Sequence, residues 1–122
     1  MSDKKLTVVL GASPNPGRYS NLAVSRLVAK GHPVLAIGKR DGQIGNTPII
    51  KAHPLPENVD TVTLYMNPTL QREYYDYIFQ LHPKRIIFNP GTENDELAEL
   101  AESKGIKPIE ACTLVMLSSG QY

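Results

Sequence analysis

The sequence predicts an α/β protein: a three-layer, doubly wound parallel sheet of about five strands with helices on both faces. Three observations lead there. Short apolar runs of branched residues, Val8-Val9-Leu10 first among them, alternate with segments of helical periodicity, and such runs suit strands buried on both sides. The opening reads strand, helix, strand, which makes a right-handed βαβ unit. The 122 residues contain no internal repeat or low-complexity linker, so residues 1–122 form a single domain, long enough for one core and too short for two.

Leu6–Leu10 is the first strand. Gly11 allows a sharp turn, and Pro14 and Pro16 forbid helix until they are passed, so the first helix begins near Ser20 or Asn21. Leu22, Ala23, Leu27 and Val28 share one side of it, and it stops at Ala29-Lys30-Gly31. Pro33–Gly38 gives the second strand. Residues 39–58 are rich in Gly, Pro and Asn, with an edge strand at Ile49-Ile50. Val59–Met66 is a further strand and Asn67-Pro68-Thr69 a turn. Leu70, Tyr74, Tyr77, Ile78 and Leu81 then recur at helical spacing up to His82-Pro83. Arg85–Phe88 is a core strand closed by Asn89-Pro90-Gly91. The next helix has an acidic first turn at residues 93–96, a stripe of Leu97, Leu100 and Ala101, and a stop at Lys104-Gly105. Lys107–Ala111 is the last strand, and Leu114–Leu117 leads into a small polar tail whose state the sequence leaves open.

The loop from Gly11 to Asn21 joins a buried strand to a helix N-terminus. Its unpaired backbone N–H groups, the helix dipole and the Arg18 guanidinium make an anion-binding corner. It is not the G-x-G-x-x-G fingerprint, because Ser13 and Pro16 stand at the second and third glycine positions. An ordinary turn of glycine and prolines is the alternative. In a doubly wound sheet a ligand sits beyond the strand carboxyl ends, here Gly11–Ser13, Gly38–Arg40, Met66–Pro68 and Asn89–Thr92, all small, polar or basic. Where an NAD-binding protein places a carboxylate, this chain has Lys39 and Arg40. That pair suits a phosphorylated ribose, either the 2′-phosphate of NADP or the 3′-phosphate of coenzyme A; two solvated surface cations are the alternative.

Gly11-Ala12-Ser13, followed by Pro16, Arg18, Ser20, Asn21 and Gly31, resembles the opening of the small stand-alone CoA-binding domain proteins, which are similar to the nucleotide-binding domain of the succinyl-CoA synthetase α subunit. Asn89-Pro90-Gly91 with Asn94 and Glu96, and Cys112 after the last strand, match that family's later segments. The resemblance covers most of the chain. It implies a Rossmann-like sheet and coenzyme A, or an acyl-CoA, as ligand. Gly11, Ala12, Ser13 and Arg18 would hold the pyrophosphate beside Ser20 and Asn21, with Gly38, Lys39 and Arg40 at the adenosine end. Met66, Asn67, Asn89, Pro90 and Gly91 complete the expected contacts. Two departures, Ile37-Gly38-Lys39 for the family's Val-Asn-Pro and Tyr65-Met66-Asn67 for its Phe-Arg pair, bear on the adenine and pantetheine contacts rather than the phosphates.

Thirteen basic and 12 acidic residues leave a formal charge of +1, which gives no reason to expect nucleic acid or an acidic membrane as partner. The single Cys112 closes no intrachain disulfide. Met1-Ser2-Asp3-Lys4-Lys5 leads into too short an apolar run for a signal peptide, and no run is of transmembrane length, so the expected compartment is the cytoplasm. His32, His53 and His82 each precede a proline at a turn, away from the strand ends. Cys112 has no CxxC or cationic motif beside it, and no metal-ligand spacing exists. Tyr74 and Tyr77 read as core contacts with hydroxyls at the rim. The expectation is a CoA-binding module without catalytic or metal-ligating residues, inactive alone, with a homodimer left open. The alternatives are a small NADP-dependent reductase or reductase subunit, and a protein interaction domain with an empty cleft.

Overall fold

The computed structural model describes residues 4–122; Met1–Asp3, part of the segment read against a signal peptide, lie outside them. Seven strands form one sheet: β1 (Thr7–Leu10), β2 (Val34–Ile37), β3 (Gly42–Ile44), β4 (Thr47–Ile50), β5 (Thr61–Leu64), β6 (Arg85–Phe88) and β7 (Lys107–Glu110). The helices are α1 (Tyr19–Ala29), α2 (Pro68–Gln71), α3 (Tyr75–Leu81), α4 (Asp95–Ser103) and α5 (Thr113–Ser118), with a 3₁₀ turn at Arg72–Tyr74. The strand order is β3-β4-β2-β1-β5-β6-β7, parallel throughout except for the β3–β4 pair. The chain winds from β1 out to one edge, returns to pair β5 against β1, and winds out to the other. This is the doubly wound, Rossmann-like α/β fold, with its reversal of order at β1.

All four residues of β1 and of β5 are buried, which is what strands in the middle of a covered parallel sheet require. Side chains alternate between the two faces. Val8, Leu10, Ile37, Leu64 and Phe88 pack with Ile78 and Leu81 of α3 and Leu97 and Ala101 of α4. Val9, Ala36 and Ile49 pack on the other face with Val24 and Leu27 of α1 and Leu117 of α5. The residues of α1 and α4 that turn inward differ from the expected stripes. Val24 replaces Leu22 and Val28, which are 38% and 48% exposed, and Leu100 of α4 is 38% exposed.

The sheet has more strands than the sequence reading, because residues 42–50 form a hairpin. Ile44 pairs with Thr47 across a two-residue Gly45-Asn46 turn, and Gly45 has φ +58°. Pro48, which has no N–H to give, lies just before the Ile49–Ile50 segment that pairs with β2. The segment read as a turn at residues 67–69 is instead a helix start: Asn67 Oδ1 accepts the Leu70 N–H at 2.9 Å and Pro68 is the first helical residue. Tyr77 is buried as expected, and its hydroxyl donates to Pro54 O at 2.6 Å. The tail is ordered into α5, and Tyr122 folds back across the amino ends of the strands. Its carbonyl oxygen accepts from Lys5 Nζ at 2.6 Å and Arg85 Nη2 at 3.0 Å, and the Arg85 guanidinium lies over its ring at 4.5 Å.

Candidate functional site

Where the strand order reverses, the carboxyl ends of β1, β2 and β5 open into a cleft of about 720 Å³. Its floor is made by three backbones in close contact. Gly11 has φ +96°, and a Cβ there would meet Tyr65 O at 2.8 Å. A Cβ at Gly38 would collide with Ala12 O and meet Ile49 Cγ2 at 3.0 Å. Only glycine lets β2 pass this close to the loop after β1.

The loop itself is held by short hydrogen bonds. Asn15 N donates to Ser13 Oγ at 3.1 Å, Gly17 N to Asn15 Oδ1 at 2.9 Å, and Asn21 Nδ2 to Ser13 O at 2.9 Å. The N–H groups of Gly11 and Ala12 both donate to Ile37 O, at 3.0 and 2.9 Å. Of the N–H groups in the anion-binding corner, the sheet takes these two, because the strand end must satisfy its own backbone first. The loop offers an anion the first turn of α1, which no side chain caps, and the exposed Arg18 at the N-cap.

Ten of the sequence-predicted residues line this cleft: Gly11, Ala12, Ser13, Arg18 and Ser20 from the first loop and helix, Gly38, Lys39 and Arg40 after β2, and Met66 and Asn67 after β5. Asn21 braces the loop from behind through its bond to Ser13 O. Asn89, Pro90 and Gly91 do not line it. Asn89 is buried, and its amide donates to Thr63 Oγ1 at 2.6 Å and Leu64 O at 2.8 Å while its Oδ1 accepts the Thr113 N–H at 2.8 Å. That side chain ties β5, β6 and the start of α5 together.

Sequence reasoning missed the aromatic part of the wall. Tyr19, Tyr65, Leu70 and Tyr74 line the cleft with Pro14 and Asn15. Tyr19 is 75% exposed, a signal the sequence carried only as an aromatic residue next to the arginine at the helix start. The Tyr65 hydroxyl is buried near Thr113 and Thr63 without a hydrogen bond to either, and burial holds its pKa far above the usual 10.

None of the three histidines lines the cleft, nor does Cys112. His32 Nδ1 accepts the Lys5 N–H at 3.0 Å and its ring packs on Tyr122; His53 stacks on Tyr77 with centroids 4.8 Å apart; His82 ends α3 with φ 50°. Cys112 is unpaired and half-buried at the N-cap of α5. Among the described residues no group of three or more His, Cys, Asp or Glu is placed to hold a metal ion, and no helix is long and apolar enough to cross a membrane.

A family model described as a CoA binding domain matches residues 5–118. The crystal structure of an uncharacterized protein is 49% identical with a TM-score of 0.95, the match covering 99% of this chain and all of the other. A hypothetical protein from Pyrococcus horikoshii OT3 shares the fold at 22% identity and TM-score 0.86, covering 96% of this chain and 84% of the other. A Thermus thermophilus protein does so at 20% identity and TM-score 0.84, with 98% and 91% covered. No curated protein is a significant match.

Proposed function

Because the chain belongs to the CoA binding domain family, we propose that it binds coenzyme A, free or as an acyl thioester, in the cleft at the ends of β1, β2 and β5, and carries out no reaction on it alone. The observation that carries this reading is the gathering of Arg18, Lys39 and Arg40 on one cleft with an uncapped helix N-terminus. The strand order then orients the ligand. The diphosphate lies at the centre, against the first turn of α1 and Arg18. On the β2 side Lys39 and Arg40 meet the 3′-phosphate. On the β5 side the pantetheine arm runs past Met66 and Asn67 towards Leu70 and Tyr74. A binding module fits because, among the described residues, no histidine, cysteine or carboxylate lines that cleft. The reading places the protein in the cytoplasm.

The test is a calorimetric titration of the protein and of its Lys39→Ala/Arg40→Ala form with CoA, dephospho-CoA, NAD and NADP. Both cations are exposed, so together they contribute only about 1 to 2 kcal/mol. The double variant should therefore bind CoA several-fold to about tenfold more weakly and dephospho-CoA nearly as before, with the difference shrinking as salt is raised. Equal losses for both ligands would assign the pair to the fold or the diphosphate. Tighter binding of NADP than CoA would replace this reading with a reductase, and no binding of CoA would end it.

A further inference from the structure

We infer that the β5 end of the cleft accepts uncharged acyl chains on the thiol and rejects acyl groups that end in a second carboxylate. The inference rests on the CoA reading of the cleft.

The wall at that end is Tyr65, Met66, Asn67, Leu70 and Tyr74. Among the polar side chains nearby, the unpaired Tyr65 hydroxyl is buried away from the cleft surface, and the amide oxygens of Asn67 and Gln71 are engaged. Asn67 Oδ1 caps α2. Gln71 is fully buried and turned away, its Nε2 donating to Met66 O and Thr92 O at 2.8 Å each while its Oε1 accepts from Asn94 Nδ2 at 2.8 Å. The cations that line the cleft, Arg18, Lys39 and Arg40, all belong to the other two strand ends. The cation nearest in the chain, Arg72, pairs with Glu96 at 3.4 Å. His53 stacks on Tyr74 with centroids 5.1 Å apart and does not line the cleft. Glu73 adds a negative charge next to Tyr74, and its field helps burial raise the Tyr74 hydroxyl's pKa.

A methylene chain laid on this wall loses water and gains apolar contact, which strengthens binding by up to about fourfold per fully buried methylene. A terminal carboxylate in the same place would lose water without gaining a counter-ion from the lining, and the Glu73 charge beside Tyr74 adds repulsion. The two ends of the cleft thus differ: the nucleotide end is lined by cations, and the acyl end carries none and has the Glu73 charge nearby.

Valeryl-CoA and glutaryl-CoA have the same number of acyl carbons and differ in the terminal carboxylate. Titrated calorimetrically at low salt and pH 8, valeryl-CoA should bind at least as tightly as CoA, and glutaryl-CoA at least about fivefold more weakly than valeryl-CoA. Glu73 is exposed on the 3₁₀ turn, so Glu73→Lys should fold normally. In that variant glutaryl-CoA should gain about threefold or more while valeryl-CoA changes by less than about twofold. A wild-type ratio below about two, a preference for glutaryl-CoA, or a ratio that Glu73→Lys leaves unchanged overturns the inference while CoA itself still binds. No binding of CoA takes down the proposed function, and the acyl preference with it.

Discussion

Asn89→Ala removes the side chain on which the back of the cleft is hung. Asn89 is 2% exposed and makes three side-chain hydrogen bonds, to Thr63 Oγ1, to Leu64 O and from Thr113 N. Thr63 Oγ1 keeps a second partner, Thr113 Oγ1 at 2.8 Å, so its loss is partial. The Thr113 N–H, at the start of α5, and Leu64 O each lose a partner where water has little access. Each such orphaned group costs about 1 to 3 kcal/mol, so the variant should lose about 3 kcal/mol. A domain of this size keeps enough stability to fold after that loss, with a Tm lower by about 10 °C. Urea denaturation followed by circular dichroism measures it. Asn89→Asp supplies the control. It retains an oxygen for Thr113 N–H but buries a carboxylate with no donor to Thr63 or Leu64, so its native pKa lies above that of an unfolded Asp. The native state then binds the proton more tightly, and this variant should gain stability as the pH falls from 7 towards about 4, unlike Asn89→Ala. A loss below about 1 kcal/mol for Asn89→Ala, with no pH slope of that sign for Asn89→Asp, would refute the role assigned to this residue.

Arg18→Ala should weaken CoA by about 1 to 2 kcal/mol in calorimetry and leave the ligand-free Tm within a degree or two, since the guanidinium is exposed and the helix has no side-chain cap to lose. Gly38→Ala forces a methyl group into the Ala12 carbonyl and should lower the urea-derived stability by about 2 to 3 kcal/mol while also weakening CoA, because the backbone that must yield is the cleft floor. His32 has its pKa held below 6.5 by burial first and by the Lys5 and Arg85 charges second. Its native form therefore stays neutral where the unfolded chain takes a proton. Its contribution is present above about 6.5 and is lost progressively as the pH falls from there through the lower native pKa. The urea midpoint should drop between pH 7.5 and 5.5, and drop less in His32→Asn.

The central strands were legible because burial on both faces leaves a plain mark: Val8-Val9-Leu10, Val34–Ile37, Arg85–Phe88 and their flanking glycines admit few other readings. The hairpin was hidden by Pro48, which argues against a strand until the register shows it outside the β2 pairing; its signal was the Gly45-Asn46 pair between Ile44 and Thr47. Asn67-Pro68 reads equally as a turn or as an N-cap followed by proline at the first helical position, and the structure has the second. On the amphipathic helices, period alone could not choose between Val24 and Val28, since a residue faces the core according to how α1 is rolled against the sheet. At the cleft, residue types at strand ends located Gly11, Gly38, Lys39, Arg40 and Met66. Tyr74 and Leu70 reach it through the tertiary placement of α2 and the turn after it, which no local pattern encodes.

The loop after β1 is braced at its base by several contacts, although residues 14–19 are exposed. Ala12 rests on Gly38, Pro14 lies 3.2 Å from the place of a Gly42 Cβ, Asn21 draws in Ser13, and Ile37 O takes two of its amides. If this loop holds the diphosphate as proposed, such bracing leaves little for the ligand to order. Association should therefore be a single concentration-dependent step without a slow conformational phase, and changes in affinity among loop variants should appear in how fast the ligand leaves rather than how fast it arrives.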